Sequence, residues 1–397
     1  MDTNNTPATS QHPVRFHGKS GEYFAIWLVN ALLTIITLGI YSAWATVRRR
    51  RYFYGNTEIA GDRFDYHARP IDILKGRIIV LAGLVVFFIL SAALPGIAWL
   101  FILAFFALIP WIIIRSWRYN AIMSSFRGVR FNYECRIGRA YWTMYLCPIL
   151  LMLALYLVVV IVGIGAANAG SIPATLVAGL IAFLLFIAGL AVVQGIVAAL
   201  NADLYINNMF FGDLAFKANL SKKAFIKMVL TSFAIMVPFL IISGLLMSSL
   251  FTSMFSAILF GGLNDPEMMN AMIVGNIVNL LLTFVFLIIG GAISAAWLIV
   301  AQRNYLFAQT RLGEHIQLKS NMQTFAFIGL TLTNTLIVIF TLGLGAPVAE
   351  IRLARYLAKS TALEGDMALL NVHAQNNSAR SAVAEEVVQA FDLNVGI

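Results

Sequence analysis

The feature that most constrains this chain is a set of three long apolar intervals without lysine or arginine, at residues 78–114, 140–200 and 228–302. A helix of about 20 apolar residues crosses the roughly 30 Å hydrocarbon core of a bilayer, and each interval exceeds that length. Only 11% of the residues are charged, whereas a soluble domain carries about 25%. The chain is therefore predicted to be an integral membrane protein.

Each interval must leave the membrane and return, because a connection that contains basic residues lies on each side of it. The breaks fall at 95–96, 163–173 and 251–270, where glycine, proline or polar residues interrupt the apolar run. This predicts a mainly α-helical multipass fold with six spanning helices. They are assigned to residues 78–94, 97–114, 142–164, 174–200, 228–250 and 274–300.

The lysines and arginines are concentrated in connections between the apolar intervals. Five such connections lie at 48–77, 115–139, 201–227, 303–319 and from 352 onward. Positive charge beside spanning helices marks the cytoplasmic side of a membrane, so all five are predicted to be cytoplasmic. A multipass location in the bacterial inner membrane also accounts for the net charge of +9, and no nucleic-acid partner is expected.

The two ends of the chain carry the same residue pattern. Three pairs of residues are each 304 positions apart, namely Thr37 and Thr341, Arg51 and Arg355, and Gly61 and Gly365. Such spacing indicates an internal repeat. The apolar segments at 23–47 and 325–350 are each too short for two crossings, so each either spans once or re-enters as a hairpin. The re-entrant form is favoured because it keeps every basic residue in the cytoplasm.

The basic connections also share a short alternating pattern that is typical of β-strands. It occurs at 15–19, 63–67, 130–134, 214–217 and 315–319. Each strand is associated with a tyrosine (Tyr52, Tyr119, Tyr205, Tyr305, Tyr356), followed five residues later by a hydroxyl residue in four cases (Thr57, Ser124, Thr310, Thr361). The chain is therefore predicted to contain five strand/helical-hairpin/strand repeats, whose short cytoplasmic strands join into one sheet or small barrel, since a lone strand pair is marginal.

The domain boundaries follow from this organisation. A repeat-built membrane domain is assigned to residues 14–375. The polar residues at 1–13 and 376–397 are predicted to be flexible tails.

Several sequence blocks resemble a known family. They are Phe16-His-Gly18, the run LLTIITLGIY at 32–41, Arg51-Tyr52 and, later, Gly128-Val-Arg-Phe131. In this order they resemble the bacterial YjgN-like inner-membrane proteins, a family of unknown function. The resemblance covers essentially the whole chain and implies a multipass inner-membrane location. It implies no catalytic or ligand-binding residues, and Asn201 and Asp203 stand where other repeats have arginines.

Eight arginines beside the predicted membrane segments form the first candidate site. They are Arg48, Arg49, Arg50, Arg51, Arg115, Arg118, Arg352 and Arg355. The planar guanidinium group matches phosphate oxygens, and clusters of basic residues beside membrane helices bind anionic lipids. The alternative is that these residues only fix the topology. The two interpretations are most evenly balanced for the run at 48–51.

Polar and turn residues at membrane depth form the second candidate set. They are Asn30, Thr37 and Gly39 in the first terminal segment, and Asn334, Thr341 and Gly343 in the second. Glycine in mid-segment is a natural turn residue. The two asparagines are expected to bond backbone groups freed at each turn, in preference to ligating an ion. The six predicted spans contain no Asp, Glu, His, Lys or Arg, which argues against a carboxylate proton relay.

The sequence contains no nucleophile motif, phosphate loop or metal-ligand spacing. Histidines and carboxylates on the predicted strands, such as His17, His67 and Glu134, are interpreted as ordinary polar residues. No enzymatic activity, catalytic residue, metal site or cofactor is therefore predicted.

The function predicted from these features is transport, or the handling of lipids or anions, by a helical membrane domain with a basic cytoplasmic face. Anionic membrane lipids are the expected partners. The alternative is a non-catalytic membrane scaffold that binds a protein through its cytoplasmic β-structure. Assembly as a homo-oligomer or with another membrane protein stays open.

Overall fold

The structure is a computed structural model that describes residues 10–94, 96–168, 171–259 and 266–366. The predicted tail at 376–397 and residues 1–9 of the predicted N-terminal tail lie outside these ranges. The first strand begins at Gln11. The chain runs five times through the same order of elements, a strand, two helices and a second strand. We call each of these a unit.

Ten short strands form the base of the molecule. They are β1 (Gln11–Phe16), β2 (Thr57–Ile59), β3 (Asp62–Tyr66), β4 (Ser124–Phe126), β5 (Val129–Tyr133), β6 (Met209–Phe211), β7 (Leu214–Ala218), β8 (Thr310–Leu312), β9 (Ile316–Ser320) and β10 (Thr361–Gly365). Each pairs antiparallel with its neighbours in the chain, and β10 pairs with β1. The strands thus close into a barrel, which is one of the two arrangements that the sequence pattern left open.

The helices leave the barrel in pairs. They are α1 (Ser20–Ile36), α2 (Ser42–Gly55), α3 (Pro70–Ala93), α4 (Ile97–Met123), α5 (Ile137–Tyr141), α6 (Cys147–Ala167), α7 (Ile172–Ile206), α8 (Lys222–Leu259), α9 (Pro266–Gln309), α10 (Thr324–Phe340) and α11 (Ala346–Lys359). A π-helical segment, Trp142–Leu146, joins α5 and α6 into one continuous helix. In each unit the helix pair connects two strands that lie side by side, so all the helices rise from the same end of the barrel.

Six helices in the described residues are long and apolar enough to cross a membrane, which agrees with the predicted number and is consistent with a multipass membrane fold. They are Pro70–Ala93, Ile97–Met123, Ile137–Ala167, Ile172–Ile206, Lys222–Leu259 and Asn270–Gln309. Each is longer than its predicted apolar span. The helices continue below the apolar interval and lead directly into the strands, as α4 does when it runs on to Met123 next to β4.

The first and fifth units contain short helix pairs whose turns have matching backbone conformations. Leu38 and Gly39 have φ values of 50° and 91°, and Leu342 and Gly343 have 51° and 91°. Glycine adopts this left-handed region without strain. Leu38 and Leu342 are each 94% exposed at the two tips, so the turns present apolar side chains to the surroundings.

The threonines, and not the asparagines, bond the backbone at these two turns. The Tyr41 N–H donates to Thr37 Oγ1 at 2.9 Å, and the Gly345 N–H donates to Thr341 Oγ1 at 2.7 Å. The amide of Asn334 instead donates to the Ala349 carbonyl at 3.2 Å and so links α10 to α11. This differs from the turn-bonding role expected for Asn334, because one helical turn already places the threonine hydroxyl within reach.

Three of the tyrosines noticed in the sequence, Tyr52, Tyr305 and Tyr356, fasten the strand-to-helix connections of their own units. The Tyr52 hydroxyl accepts from the Lys19 N–H at 2.9 Å and donates to the Lys19 carbonyl at 3.1 Å. The Tyr356 hydroxyl bonds the N–H and carbonyl of Gln323 in the same way, at 3.1 and 3.0 Å. The predicted strand at 15–19 therefore ends early, at Phe16, because Lys19 is held at the start of α1.

The hydroxyl residues that follow the tyrosines mark the change from helix to strand. Thr57 donates to the Phe53 carbonyl at 2.8 Å, and Ser124 donates to the Asn120 carbonyl at 2.7 Å. Thr310 and Thr361 make the same bond four residues back, at 2.6 and 2.7 Å. Each bond satisfies one of the carbonyls that a helix C-terminus leaves without an intrahelical partner.

The barrel interior is filled with apolar side chains. The buried cluster consists of Ile59, Phe126, Phe211, Leu312 and Ile316. Alternation along each strand directs every second side chain inward, and the residues just before the tight turns meet at the end away from the helices. The barrel is therefore a packed core and not an open tube.

The helices form a ring above the barrel. Each second helix of a unit packs against the first helix of its own unit and against the first helix of the next, and α11 packs back on α1. The two short helix pairs are neighbours only because this ring closes. The ring therefore has a low wall over units one and five and a tall wall elsewhere.

The packing of α7 on α8 depends on Gly195. A Cβ atom at this position would lie 2.7 Å from the Ile226 Cα, so Gly195→Ala must push two helices apart. We expect an apparent destabilisation of about 1–3 kcal/mol, measured as a lower midpoint of thermal unfolding in detergent. Gly291→Ala is the matched control, since its added Cβ would meet no described atom within 4 Å beyond the adjoining residues and the local backbone of its own helix. Equal midpoints for the two variants would contradict this account.

The barrel seam between β1 and β10 carries a carboxylate whose ionisation we expect to affect stability. Glu364 accepts from Lys319 Nζ at 2.6 Å and also from the amide of Gln11. The Lys319 bond holds the pKa of Glu364 below its ordinary value of 4.5. The stabilisation is therefore present above about pH 4.5 and is lost as the pH falls through the folded-state pKa.

We expect Glu364→Gln to lower the unfolding midpoint at pH 7, and we expect the difference from the parent protein to shrink toward pH 4. The measurement is thermal unfolding at a series of pH values. Glu314→Gln, at an exposed turn residue, is the control. A difference independent of pH would show that the carboxylate charge has no part in closing the seam.

Candidate functional site

A cavity of about 600 Å³ lies above the barrel, on the axis of the helix ring. Its walls come from α2, α4, α7 and α9, which are the second helices of the first four units, and its floor comes from the strands. We call this cavity the central chamber. Its position follows from the fold, because five pairs of helices rising from a closed barrel leave space where the second helices face one another.

The floor of the central chamber is aromatic. Phe64, Phe131 and Phe216 occupy corresponding places on β3, β5 and β7, and they line the chamber. The ring centroids of Phe64 and Phe131, and those of Phe131 and Phe216, are 6.4 Å apart. These rings lie above the buried barrel cluster and separate the chamber from the far end of the barrel.

Arg50 brings positive charge to the wall of the chamber. Its guanidinium donates to the Tyr66 hydroxyl at 2.7 Å and to Asn120 Oδ1 at 2.5 Å. It also lies 5.4 Å from the centroid of the Tyr66 ring. These partners belong to two other elements, β3 and α4. The fold therefore holds the guanidinium in position from two sides.

Arg49 also lines the chamber and connects it to the junction of the first and fifth units. Its Nε lies 3.2 Å from Glu350 Oε2 on α11. The buried Tyr23 hydroxyl on α1 donates to the same oxygen at 2.7 Å. One carboxylate thus joins α1, α2 and α11 at the edge of the chamber.

The other predicted arginines point elsewhere. Arg51 donates to the carbonyls of Tyr66 and Ala68 at 3.2 and 3.1 Å, and Arg355 donates to the Gly18 carbonyl at 3.1 Å. Each of the two arginines thus holds the segment just before the first helix of the next unit around the ring. Arg352 donates to the Thr333 hydroxyl at 2.9 Å, and Arg48 is exposed. The structure therefore brings only Arg49 and Arg50 of the predicted set into the central chamber.

Arg115 and Arg118 line a separate cavity of about 680 Å³ on the outside of the barrel. We call it the basic crevice. Its lining residues are Ile114, Arg115, Arg118, Tyr133, Glu134, Cys135, Arg136, Ile137, Arg139 and Asn208. Burial raises the pKa values of the Tyr133 hydroxyl and the Cys135 thiol, so both stay protonated at neutral pH. Tyr133 uses its proton to donate to the Leu204 carbonyl at 2.9 Å.

The predicted polar strand residues do not form a joint site. His17 pairs with Glu58 at 2.8 Å, and His67 bonds the Ser125 hydroxyl at 2.8 Å, on different strands. Among the described residues, no group of three or more histidine, cysteine or acidic side chains is arranged to hold a metal ion.

Several lining residues of the chamber had no signal in the sequence. Asn120, which lines the chamber from α4, belongs to no repeated motif, and the aromatic floor comes from three strands far apart in the chain. One signal was available for the floor, since Phe64 and Phe131 each occupy the same place in an Arg-Phe-Asp/Asn-Tyr strand.

A closed barrel that carries six membrane-length helices, with a basic, aromatic chamber at their base, defines a class of multipass membrane protein with an internal cavity. Residues 11–390 match the family described as bacterial protein of unknown function (DUF898). The chain belongs to this family. No solved structure matches the chain.

Relatives of the chain carry the name "Inner membrane protein YjgN". The protein from Salmonella typhimurium is 31% identical over 365 residues, which cover 90% of this chain and 89% of the relative. The protein from Escherichia coli strain K12 is 27% identical over 371 residues, with the same two shares of 90% and 89%. The family resemblance and the inner-membrane location predicted from the sequence are thereby confirmed.

The contacts of the arginines predict different effects on stability. We expect Arg51→Gln and Arg355→Gln each to destabilise the protein by about 1 kcal/mol, because each removes a charged donor from backbone carbonyls at a partly solvated site. Arg48→Gln should change stability by less than about 0.5 kcal/mol. Thermal unfolding of the three variants in one detergent checks this, and an Arg48→Gln effect as large as the others would contradict it.

Proposed function

We propose that this protein handles an anionic, amphiphilic component of the inner membrane, and that the central chamber binds the anionic group. The observation that carries the proposal is the placement of Arg49 and Arg50 above an aromatic floor in one cavity. Guanidinium groups bind phosphate or carboxylate oxygens through paired N–H donors. Aromatic side chains accept the apolar part of the same ligand.

The size of the chamber supports a small headgroup with the beginning of an acyl chain. Pockets for small ligands measure about 300–1,000 Å³, and the chamber, at about 600 Å³, falls within that range. A complete lipid with two long chains would have to leave its tails outside, among the helices or in the bilayer.

Arg49 and Arg50 differ in how far their present contacts leave them ready to bind an anion. Arg50 is oriented by Tyr66 and Asn120, so little side-chain freedom is lost when it binds. Arg49 is engaged by Glu350. An incoming anion therefore competes with this carboxylate, and binding at Arg49 would loosen the junction between α2 and α11.

The low wall of the helix ring supplies a route from the bilayer. Helix α2 has 14 residues and α1 has 17, which correspond to about 21 and 26 Å, less than the roughly 30 Å of the hydrocarbon core. We infer that both short helix pairs are re-entrant, with Leu38 and Leu342 inside the membrane and all basic connections in the cytoplasm. A membrane component would then pass over these pairs toward the axis.

The packed barrel helps to decide whether the ligand is bound in the chamber or conducted through a pore. Apolar side chains fill its interior below the aromatic floor, so a charged ligand in the chamber has no straight aqueous path through the barrel. This favours a binding step, within transport or lipid handling, over conduction through an open pore.

The test is native mass spectrometry of the protein extracted in a mild detergent, followed by identification of the bound molecules. The decisive variant is Arg49→Gln with Arg50→Gln. We expect at least a tenfold lower occupancy of a bound anionic lipid or small anion, because losing a charged hydrogen bond costs about 1.5–3 kcal/mol.

Two further variants separate a site in the chamber from an effect of total charge. Arg48→Gln with Arg311→Gln removes the same charge at exposed positions and should leave occupancy unchanged. Ala121→Leu fills part of the chamber without removing charge and should also reduce occupancy. Retention of the same ligand by both chamber variants would contradict the proposal, and a clean mass or a bound protein in the parent would favour the scaffold alternative.

A further inference from the structure

We propose that the basic crevice is a second and separate site, which binds the phosphate group of an anionic glycerophospholipid from the cytoplasmic leaflet. This inference is independent of the central chamber. It concerns a lipid that stays in the surrounding bilayer, and its site faces outward from the barrel.

The crevice concentrates guanidinium groups from two elements. Arg115 and Arg118 lie three residues apart on α4 and therefore on one face of that helix. Arg136 and Arg139 lie at the start of α5 on the opposite side. Four guanidinium groups thus face a single cavity from two walls, an arrangement that suits a phosphate group with several oxygens.

The carboxylates near the crevice neutralise only part of this charge. Asp203 lies 2.6 Å from the Arg139 guanidinium. Glu134 accepts from the Asn132 amide at 2.8 Å, and its backbone N–H donates to the Asn208 carbonyl at 2.9 Å. Two carboxylates against four guanidinium groups leave the cavity positive and attractive to an anion.

Arg118 has a buried hydrogen-bond donor for which the described residues supply no acceptor. Its Nε is buried and has no hydrogen-bond partner among the described residues. A buried donor without an acceptor costs about 1–3 kcal/mol, and such groups call for an explanation such as an absent ligand. A phosphate oxygen in the crevice would provide an acceptor once the Arg118 side chain turns its guanidinium toward the cavity that it lines.

The wall above the crevice has the character of a membrane interface. Pro110 in α4 has no N–H, which frees the Phe106 carbonyl, and the Tyr145 hydroxyl donates to that carbonyl. The Tyr141 hydroxyl donates to the Ala107 carbonyl at 2.5 Å. Together with the half-exposed Trp142, these residues form the aromatic zone that usually lies at the level of lipid headgroups.

The π-helical segment explains how these tyrosines reach α4. Pro148 follows the segment and cannot donate to the Met144 carbonyl, so the helix widens over Trp142–Leu146. The Cys147 N–H accordingly bonds the Trp142 carbonyl, five residues back. The widened turn holds Tyr141 and Tyr145 against α4 directly above the four arginines.

Cys135 allows the site to be tested on its own. It lines the crevice and is partly exposed. In a Cys147→Ser background it is the one remaining thiol of the chain, and its rate of alkylation by a maleimide reports access to the crevice. The experiment measures this rate at constant pH in mixed micelles with phosphatidylglycerol, with phosphatidylcholine, or with inorganic phosphate alone.

We expect phosphatidylglycerol to slow alkylation at least fivefold, with little effect of phosphatidylcholine. Arg115→Gln with Arg118→Gln should abolish the protection, and Arg118→Lys should keep part of it, since charge is retained and the planar fork is lost. Thermal unfolding identifies any variant that has lost its fold. The central-chamber variant, Arg49→Gln with Arg50→Gln, should protect normally.

Three results would overturn the inference. Equal protection by both lipids would remove the requirement for an anion, and full protection by millimolar inorganic phosphate alone would assign the site to a free anion. Protection that survives Arg115→Gln with Arg118→Gln in a folded protein would place the lipid elsewhere. Because the thiol is in the crevice, none of these results depends on whether the central chamber binds a ligand.

Discussion

The pairing of the first strand with the last is the interaction on which the rest of this structure depends. The strands are three to six residues long, and such strands are not stable in isolation. Closure of the barrel through β1 and β10 removes both free edges and gives the strand backbones partners on each side. It also places five helix pairs in a ring, and only a ring has an axis along which a chamber can form.

The two basic cavities share a chemistry but differ in access. The central chamber faces the axis, and its guanidinium groups are held by side chains from several units. The basic crevice faces the surrounding bilayer beside an aromatic zone. A headgroup can reach the crevice without leaving its leaflet, whereas the chamber requires displacement from the bilayer plane. The basic crevice therefore suits a resident lipid, and the central chamber suits a ligand that is exchanged.

Sequence reasoning predicted the local elements better than their assembly. The six long helices could be predicted because long intervals without basic residues are explained by crossing a membrane. The strands could be predicted because every second side chain points inward. The run at 48–51 shows the limit. Successive residues on a helix point about 100° apart, so Arg48 faces solvent, Arg49 faces α11, Arg50 faces the axis and Arg51 faces β3. Neighbours in sequence therefore have four different environments, which only the packing of other units decides.

The junction between the first and fifth units has a consequence for biogenesis. Tyr23 bonds Glu350 across 327 residues of sequence, and Arg355 bonds Gly18 across 337. The chain is made from its N-terminus, so three complete hairpins must be inserted after the first, short hairpin and before the fifth unit is made. Until then the first unit lacks its contacts with the fifth. The last helix that lines the axial cavity, α9, precedes the fifth unit, so the cavity walls are made before α11. Arg49 acquires its carboxylate partner, Glu350, only when synthesis is nearly complete. The position of Arg49 at the edge of the cavity is thus a property of the finished protein.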